Sequence, residues 1–343
     1  MKIAMFDTHG YDRDSFTAAN VAFRHEITFL EPRLTATTAS LAAGHDAVCA
    51  FVNDRADERT LEILAEGGAK LLALRSAGFN HVDLSVAERL GIRVVRVPAY
   101  SPYAVAEHAV ALVLGLNRKI HRASARVREW NFSLDGLVGF DLRGKTVGII
   151  GTGRIGQVAV EIFRGFGCRV LCYDAFPDEA FASSRGASYV ELSELYAQSD
   201  IVSLHLPLTP ETHHMIDSAA LSVMKHGAMM INTSRGALID SRALVRALKS
   251  GKLGAAGLDV YEEEAGIFFQ DLSNKVLQDD ILARLLSFPN VLVTSHQAFM
   301  TVEALSNIAH VTLENVRAFE SGQALVNEVK VEEVFHSSEA GSA

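Results

Sequence analysis

The 343-residue chain predicts an α/β protein of two doubly wound parallel-sheet domains with a cleft between them. Three observations carry that expectation. Short apolar runs alternate with helical stretches over the first hundred residues, and a second series of the same kind starts at Lys145. A glycine-rich turn joins the first strand of that second series to its first helix. Strands alternating with helices imply right-handed crossovers and parallel sheets.

In the first series, Ile3 to Phe6, Ala47 to Val52, Leu71 to Leu74 and Arg93 to Val97 read as buried strands, with turn residues such as Gly44, Gly67-Gly68 and Gly91 beside them. Asp57 to Ala65 and Asp83 to Leu90 have helical spacing. Ser101-Pro102 then opens a long helix to about Ala123, because Pro at the first helical position has no donor to lose. That helix is apolar nearly all round, so its own domain or a partner chain must cover it. Beyond Lys145 the strands are Thr146 to Ile150, Arg169 to Tyr173, Ile201 to Leu204, Met229 to Asn232, Ala255 to Val260 and Val291 to Thr294. A helical stretch, Val302 to Ser321, follows, and 336–343 reads as a frayed tail.

A length of 343 residues at roughly 150 per domain fits two domains. Hydrophobic residues at 49% and charged ones at 21% exclude wholesale disorder and a membrane bundle. The net charge of −9 gives no broad footprint for nucleic acid or an anionic membrane. The basic run Arg118, Lys119, Arg122, Arg126 and Arg128 reads as a solvated helix face. Met1 to Asp7 runs straight into a strand without an apolar leader. The cysteines are Cys49, Cys168 and Cys172, and the last two are about 13 Å apart if one strand carries both, too far for a bridge. A reducing, cytoplasmic setting is the expectation.

Gly151-Thr152-Gly153-Arg154-Ile155-Gly156 is a G-x-G-x-x-G that directly follows a strand and opens a helix. The glycines allow a tight turn, close approach of a pyrophosphate to the backbone, and close helix–strand packing; the helix start then faces the anion. The next strand ends at Asp174, 18 residues past Gly156, where a carboxylate accepts from a ribose 2′-hydroxyl and repels a 2′-phosphate. Ala175 to Asp178 contain no Arg or Lys, so the cofactor expected on this Rossmann-type unit is NAD.

Three later segments put polar groups at carboxyl ends of strands, where open α/β sheets hold their ligands. Arg235 follows one strand, Asp259 to Glu264 end another, and Ser295-His296-Gln297 end the last. Singly, each has an ordinary explanation: an Arg paired with a surface acid, solvated carboxylates, a structural His. Together they supply a fork for a carboxylate, a proton donor and an acid to orient and charge the imidazole, the set that hydride transfer to a 2-keto acid requires. There is no HExxH or paired CxxC for zinc and no G-x-S-x-G elbow.

These segments carry a resemblance. Leu74-Arg75-Ser76-Ala77-Gly78-Phe79-Asn80, Val97-Pro98-Ala99-Tyr100-Ser101-Pro102, Ala106-Glu107-His108-Ala109, the loop Gly151 to Gly156, His205-Leu206-Pro207-Leu208-Thr209, Asn232 to Asp240, Asp259-Val260-Tyr261-Glu262 and His296-Gln297-Ala298-Phe299 occur in one order. The chain resembles the NAD-dependent D-isomer-specific 2-hydroxyacid dehydrogenases, most narrowly their fermentative D-lactate branch. The resemblance implies that Arg235 binds the substrate carboxylate, His296 is the general acid or base, and Glu264, by its offset of 5 from Asp259, pairs with His296 rather than Glu262 or Glu263 doing so. It puts Asp259 on the nicotinamide carboxamide, the backbone of Leu206, Pro207, Thr233 and Ser234 along the nicotinamide side, and Thr212 among the cofactor contacts. Arg154 and Ile155 fall at the pyrophosphate and Asp174 on the ribose. Backbone N–H groups of Ser76, Ala77 and Gly78 would hold the substrate with Tyr100, and Phe51, Phe79 and Phe299 would wall its side chain.

The resemblance further implies a discontinuous substrate domain of residues 1–100 and 299–343, an NAD domain of 101–298, and a homodimer or homotetramer formed through the helix starting near Ser101. Reversible reduction of pyruvate by NADH to D-lactate is the leading expectation. A bulkier 2-keto acid is its rival; an NAD-sensing corepressor would not require Arg235, Glu264 and His296 together, and of the oxidation of formate or phosphite, the formate version needs no proton relay.

Overall fold

The computed structural model describes residues 1–331; the tail expected over 336–343 lies outside the described residues. The chain divides into two compact units, Met1–Ser101 with the segment from Met300 onward, and Pro102–Phe299.

The first unit holds β1 (Lys2–Met5), β2 (Glu26–Phe29), β3 (Ala47–Ala50), β4 (Leu71–Leu74) and β5 (Arg93–Val95), all parallel in the order β2-β1-β3-β4-β5. Its helices are α1 (Gly10–Asn20), α2 (Glu58–Glu66), α3 (Leu84–Arg89) and the late helix Val302–Glu320. That late helix packs on α1 and β4, returning the chain to this unit. The unit has its own core, in which Phe6, Leu34, Val48, Leu61, Leu72 and Val94 are buried.

The second unit opens with α4 (Pro102–Asn117) and α5 (Ile120–Arg128). They are two helices where the sequence predicts one, because Lys119 takes a left-handed φ of 51° and Asn117 turns its side chain to the backbone of Phe140. Then come β6 (Thr146–Ile150), α6 (Arg154–Gly165), β7 (Arg169–Tyr173), α7 (Glu179–Arg185), β8 (Ala187–Tyr189), α8 (Leu192–Gln198) and β9 (Ile201–Leu204). The unit finishes with α9 (Ser218–Val223), β10 (Ala228–Asn232), α10 (Ser241–Lys249), β11 (Leu253–Leu258), α11 (Asp280–Ser287) and β12 (Val291–Val293). The sheet has seven strands, one more than the sequence reading finds, in the order β12-β11-β10-β9-β6-β7-β8. From β6 the chain winds outward through β7 and β8, then crosses back to β9 on the other side. That reversal is the switch point at which doubly wound sheets bind ligands.

Two apolar clusters cover the two faces of this sheet. The apolar face of α4, through residues such as Ala109, Leu112 and Val113, belongs to one of them and packs on α6, β10 and β11. Helix starts are set by short-range chemistry: Asp57, Asp83, Asp178, Asp217, Asp240 and Asp279 each accept the N–H three residues on. Each such cap stabilises its helix by about 1 kcal/mol. α5 buries nothing, and Ile120, Val127, Trp130, Phe132, Leu134 and Val138 in and after it are all exposed.

Candidate active site

Strand register builds the site in the second unit. Val293, Leu258, Asn232, Leu204, Ile150 and Tyr173 pair level with one another across six strands. The strands are parallel, so the residues that follow this row emerge along one edge of the sheet. They are Thr294 to His296, Asp259, Thr233 to Arg235, His205-Leu206, Gly151 and Asp174.

The turn after β6 has no room for side chains where it bends. Gly151 has φ +91°, and a Cβ there would lie 2.5 Å from the carbonyl oxygen of His205; one on Gly156 would lie 1.9 Å from the oxygen of Gly151. A Cβ on Gly153 would meet nothing within 4 Å, so the backbone is open on that side. Gly153 also caps α6 with no side chain on the first N–H groups, leaving them for an anion. Asp174 is half-exposed, and Thr152 orients it by donating from its N (2.6 Å) and Oγ1 (3.1 Å) to Oδ2. Arg154 is exposed and Ile155 half-buried beside them.

Along the same edge lie two buried polar atoms with no partner among the described residues, Thr233 Oγ1 and His205 Nδ1. Burial lowers the His205 pKa to about 4, so that ring is neutral. Ser234 donates to the Leu204 carbonyl at 2.8 Å, Thr212 to the Pro207 carbonyl at 2.8 Å, and these bonds fix the loops after β10 and β9. An open glycine turn, a free helix start, an oriented ribose-type carboxylate and an orphaned hydroxyl together fit a dinucleotide.

On the other side of the row, His296 Nδ1 donates to Glu264 Oε1 at 2.7 Å. Glu264 Oε2 accepts from the backbone N of Tyr261 at 3.0 Å, so both its oxygens are fixed. Of the three consecutive acids, Glu262 is instead paired with His214 and Glu263 is exposed. With Nδ1 engaged, Nε2 of His296 has no protein partner among the described residues. His296 has φ 52°, left-handed for a non-glycine residue, and its backbone N donates to the Asp259 carbonyl at 2.7 Å. Conformations of this kind persist where surrounding structure holds them in place. Phe269 lies at 5.9 Å, ring centroid to ring centroid, from His296.

Asp259 supplies that hold. Its side chain is fully buried. Oδ1 accepts from Thr294 Oγ1 (2.5 Å) and Gln297 N (2.9 Å), and Oδ2 from Ala298 N (2.9 Å). Burial alone would raise this carboxyl, but hydrogen bonds from His108, Thr294 and Ala298 outweigh it and hold the group below the usual carboxylate range. Asp259 is thus the clamp on residues 294–298. Arg235 is half-buried, donates from Nη1 to the Ser234 carbonyl at 2.7 Å, and has no carboxylate partner among the described residues. The surface ion pair that would make it ordinary is absent among them.

In the first unit, Ser76, Ala77 and Gly78 follow β4. Their three carbonyls are all taken: by Val97 N (3.1 Å), Arg96 Nη1 (2.9 Å) and Ser76 Oγ (2.8 Å). Their three N–H groups have no acceptor among the described residues, a backbone nest of the sort that receives anions. Asn307 donates to the Tyr100 carbonyl at 2.8 Å. Arg75 lies over the Phe51 ring and Arg96 over that of Phe79, while Phe299 is buried in the second unit. Sequence reasoning assigned no role to His108, Thr294, Thr152 or Arg96, which act by holding others.

This fold and edge define an NAD-binding oxidoreductase, and comparison with known proteins gives its family. Residues 110–298 match the model of the D-isomer specific 2-hydroxyacid dehydrogenase NAD binding domain. The D-lactate dehydrogenase of Escherichia coli (strain K12) is 51% identical over 329 residues, 96% of this chain and 100% of that protein. A structure from the identification of the pyruvate reductase of Chlamydomonas reinhardtii superposes with a TM-score of 0.91 at 47% identity, covering 95% of this chain and 98% of the other. D-lactate dehydrogenase with NAD+ from Lactobacillus jensenii superposes at 0.81 with 32% identity, covering 96% and 100%. The chain belongs to the D-isomer-specific 2-hydroxyacid dehydrogenase family and is an NAD-dependent dehydrogenase. No helix among the described residues is long and apolar enough to cross a membrane.

Proposed function

We propose that the protein reduces pyruvate with NADH to D-lactate, reversibly, by the side chains at the edge of the second unit's sheet. The observation that carries this reading is the His296–Glu264 hydrogen bond, with an unpaired Arg235 rising from a strand of the same sheet. The relatives named above supply the substrate and the hand of the product.

Bound NADH supplies the hydride. Arg235 takes the substrate carboxylate in a two-point grip and polarises the keto oxygen. Glu264 fixes the tautomer of His296, so that Nε2 gives its proton to the developing alkoxide; in the oxidation direction it removes that proton. Asp259 positions the segment that carries His296. The first helical turn at Gly153, Arg154 and Ile155 holds the pyrophosphate between Gly151 and Gly156, Asp174 the ribose, and Leu206, Pro207, Thr212, Thr233 and Ser234 the nicotinamide end. The open backbone N–H groups of Ser76, Ala77 and Gly78 support the first unit, with Tyr100, as the substrate unit, and the glycine turn supports the second unit, which also carries Phe299, as the NAD unit. The exposed apolar residues from Ile120 to Val138 support association into a homodimer or homotetramer beside α4. Three buried, unbridged cysteines suit a reducing cytoplasm.

The test is NADH oxidation, followed optically, against pyruvate, 2-ketoisocaproate and phenylpyruvate, with chiral analysis of the product. Pyruvate should give the highest kcat/KM and D-lactate alone. L-lactate, a bulkier acid turned over faster, or no turnover at all would each refute the assignment.

A further inference from the structure

His213, His214 and Glu262 form a cluster that the chemistry above leaves unused. Among the described residues it is the one group of three His, Cys, Asp or Glu side chains whose ligating atoms all lie within 4.8 Å of one another. Consecutive side chains normally diverge. Here His214 adopts a left-handed φ of 52°, which brings its ring to stack on that of His213 with centroids 3.9 Å apart. The turn is tied down behind them, since His214 N donates to the Ala237 carbonyl at 2.8 Å. Glu262 arrives from the turn after β11 with Oε1 at 2.5 Å from His214 Nε2 and Oε2 at 3.3 Å from Ser241 N. Gly236 lets that turn pass, because a Cβ there would lie 2.3 Å from the backbone N of Glu262.

We propose that His213, His214 and Glu262 bind a divalent transition metal of the zinc class, with solvent completing its coordination. Zinc bonds of about 2.0 to 2.1 Å set tetrahedral ligands about 3.3 Å apart. The His214–Glu262 contact therefore opens by less than 1 Å and His213 closes by up to about 1.5 Å, within the reach of side-chain rotation. Two imidazoles and one carboxylate select zinc, copper or nickel over magnesium and calcium, which need an oxygen cage. His213 is exposed, so the ion enters from solvent.

The site shares its backbone with the proposed catalytic groups. Glu262 lies two residues before Glu264 on one turn, and Gly236, over which that turn passes, adjoins Arg235. A bound ion that draws Glu262 toward His213 shifts both supports, and turnover falls to a saturable plateau. This second step rests on the catalytic reading above; the binding does not.

The experiment titrates zinc into untagged, metal-stripped, NAD-free full-length protein in competition with a chromogenic zinc dye. One equivalent should bind in the micromolar range or tighter, and His213→Ala and Glu262→Gln should each weaken it about tenfold or more. Millimolar magnesium should not displace it. His213→Ala, a surface change, should keep the parent melting temperature and zinc-free activity and lose zinc inhibition. No uptake below millimolar zinc, or affinity untouched by His213→Ala, overturns the site. Tight binding with unaltered turnover upholds the site and overturns only its coupling. A protein inert toward every 2-keto acid fails the functional assignment while the dye titration still decides the metal site.

Discussion

The two units present different chemistry at the ends of their strands. After β4 in the first unit, the turn Ser76 to Gly78 offers only backbone, with every carbonyl occupied and every N–H without an acceptor among the described residues. After β10 to β12 in the second, the groups on offer are side chains: Arg235, Glu264 and His296. Backbone donors hold charge at fixed positions and cannot titrate, whereas an imidazole beside a carboxylate can move a proton. On this reading one edge binds and the other reacts, so substitutions in the two should differ in kind.

The largest effect belongs to the second unit. His296→Gln should lower kcat about 1000-fold while the NADH dissociation constant, read by fluorescence, changes little. Equal losses in both would make His296 structural. Arg235→Lys follows, with a kcat/KM about 100-fold lower that combines a raised pyruvate KM with a lowered kcat, because an ammonium lacks the paired fork. Steady-state kinetics near those of the parent would remove Arg235 from the substrate.

In the first unit the only handle is indirect. Arg96→Met releases the Ala77 carbonyl and loosens the nest. It should raise KM by about threefold to tenfold with kcat nearly unchanged, the pattern of lost uniform binding. A fall in kcat as large as that of Arg235→Lys would erase the contrast between the edges.

The smallest effect concerns stability. His205 has its folded-state pKa lowered to about 4 by burial, against 6.5 for the free group. Its neutral burial carries no pH-dependent cost above pH 6.5. As pH falls from there toward 4 the unfolded chain takes up the proton first, and stability drops by at most about 3 kcal/mol. Denaturant melts from pH 7 to 4 should show His205→Gln with a shallower loss than the parent; an identical slope would contradict the burial argument.

The same asymmetry decides what was legible in the sequence. Central strands such as Leu71–Leu74, Thr146–Ile150 and Ile201–Leu204 lie where their apolar runs predict, because burial on both faces leaves no polar alternation to confuse them. Missed were Glu26–Phe29 and Ala187–Tyr189, two short edge strands with partly exposed, mixed sequences. The break at Lys119 escaped because the contact that causes it, Asn117 to Phe140, spans 23 residues. In the candidate site, residues with distinctive chemistry, such as Arg235 and His296, could be picked out. The hydrogen-bond partners of Asp259 and Glu262 could not be, since they lie on segments distant in the chain.

The central claim is that His296 and Glu264 act as one unit in proton transfer. The rate of NADH oxidation with pyruvate by the double variant, His296→Gln with Glu264→Gln, tests it against the two single variants. If the pair is one device, Glu264→Gln costs about tenfold to a hundredfold alone and almost nothing once His296 is gone. Full multiplication of the two losses would show that each acts separately and would contradict the account.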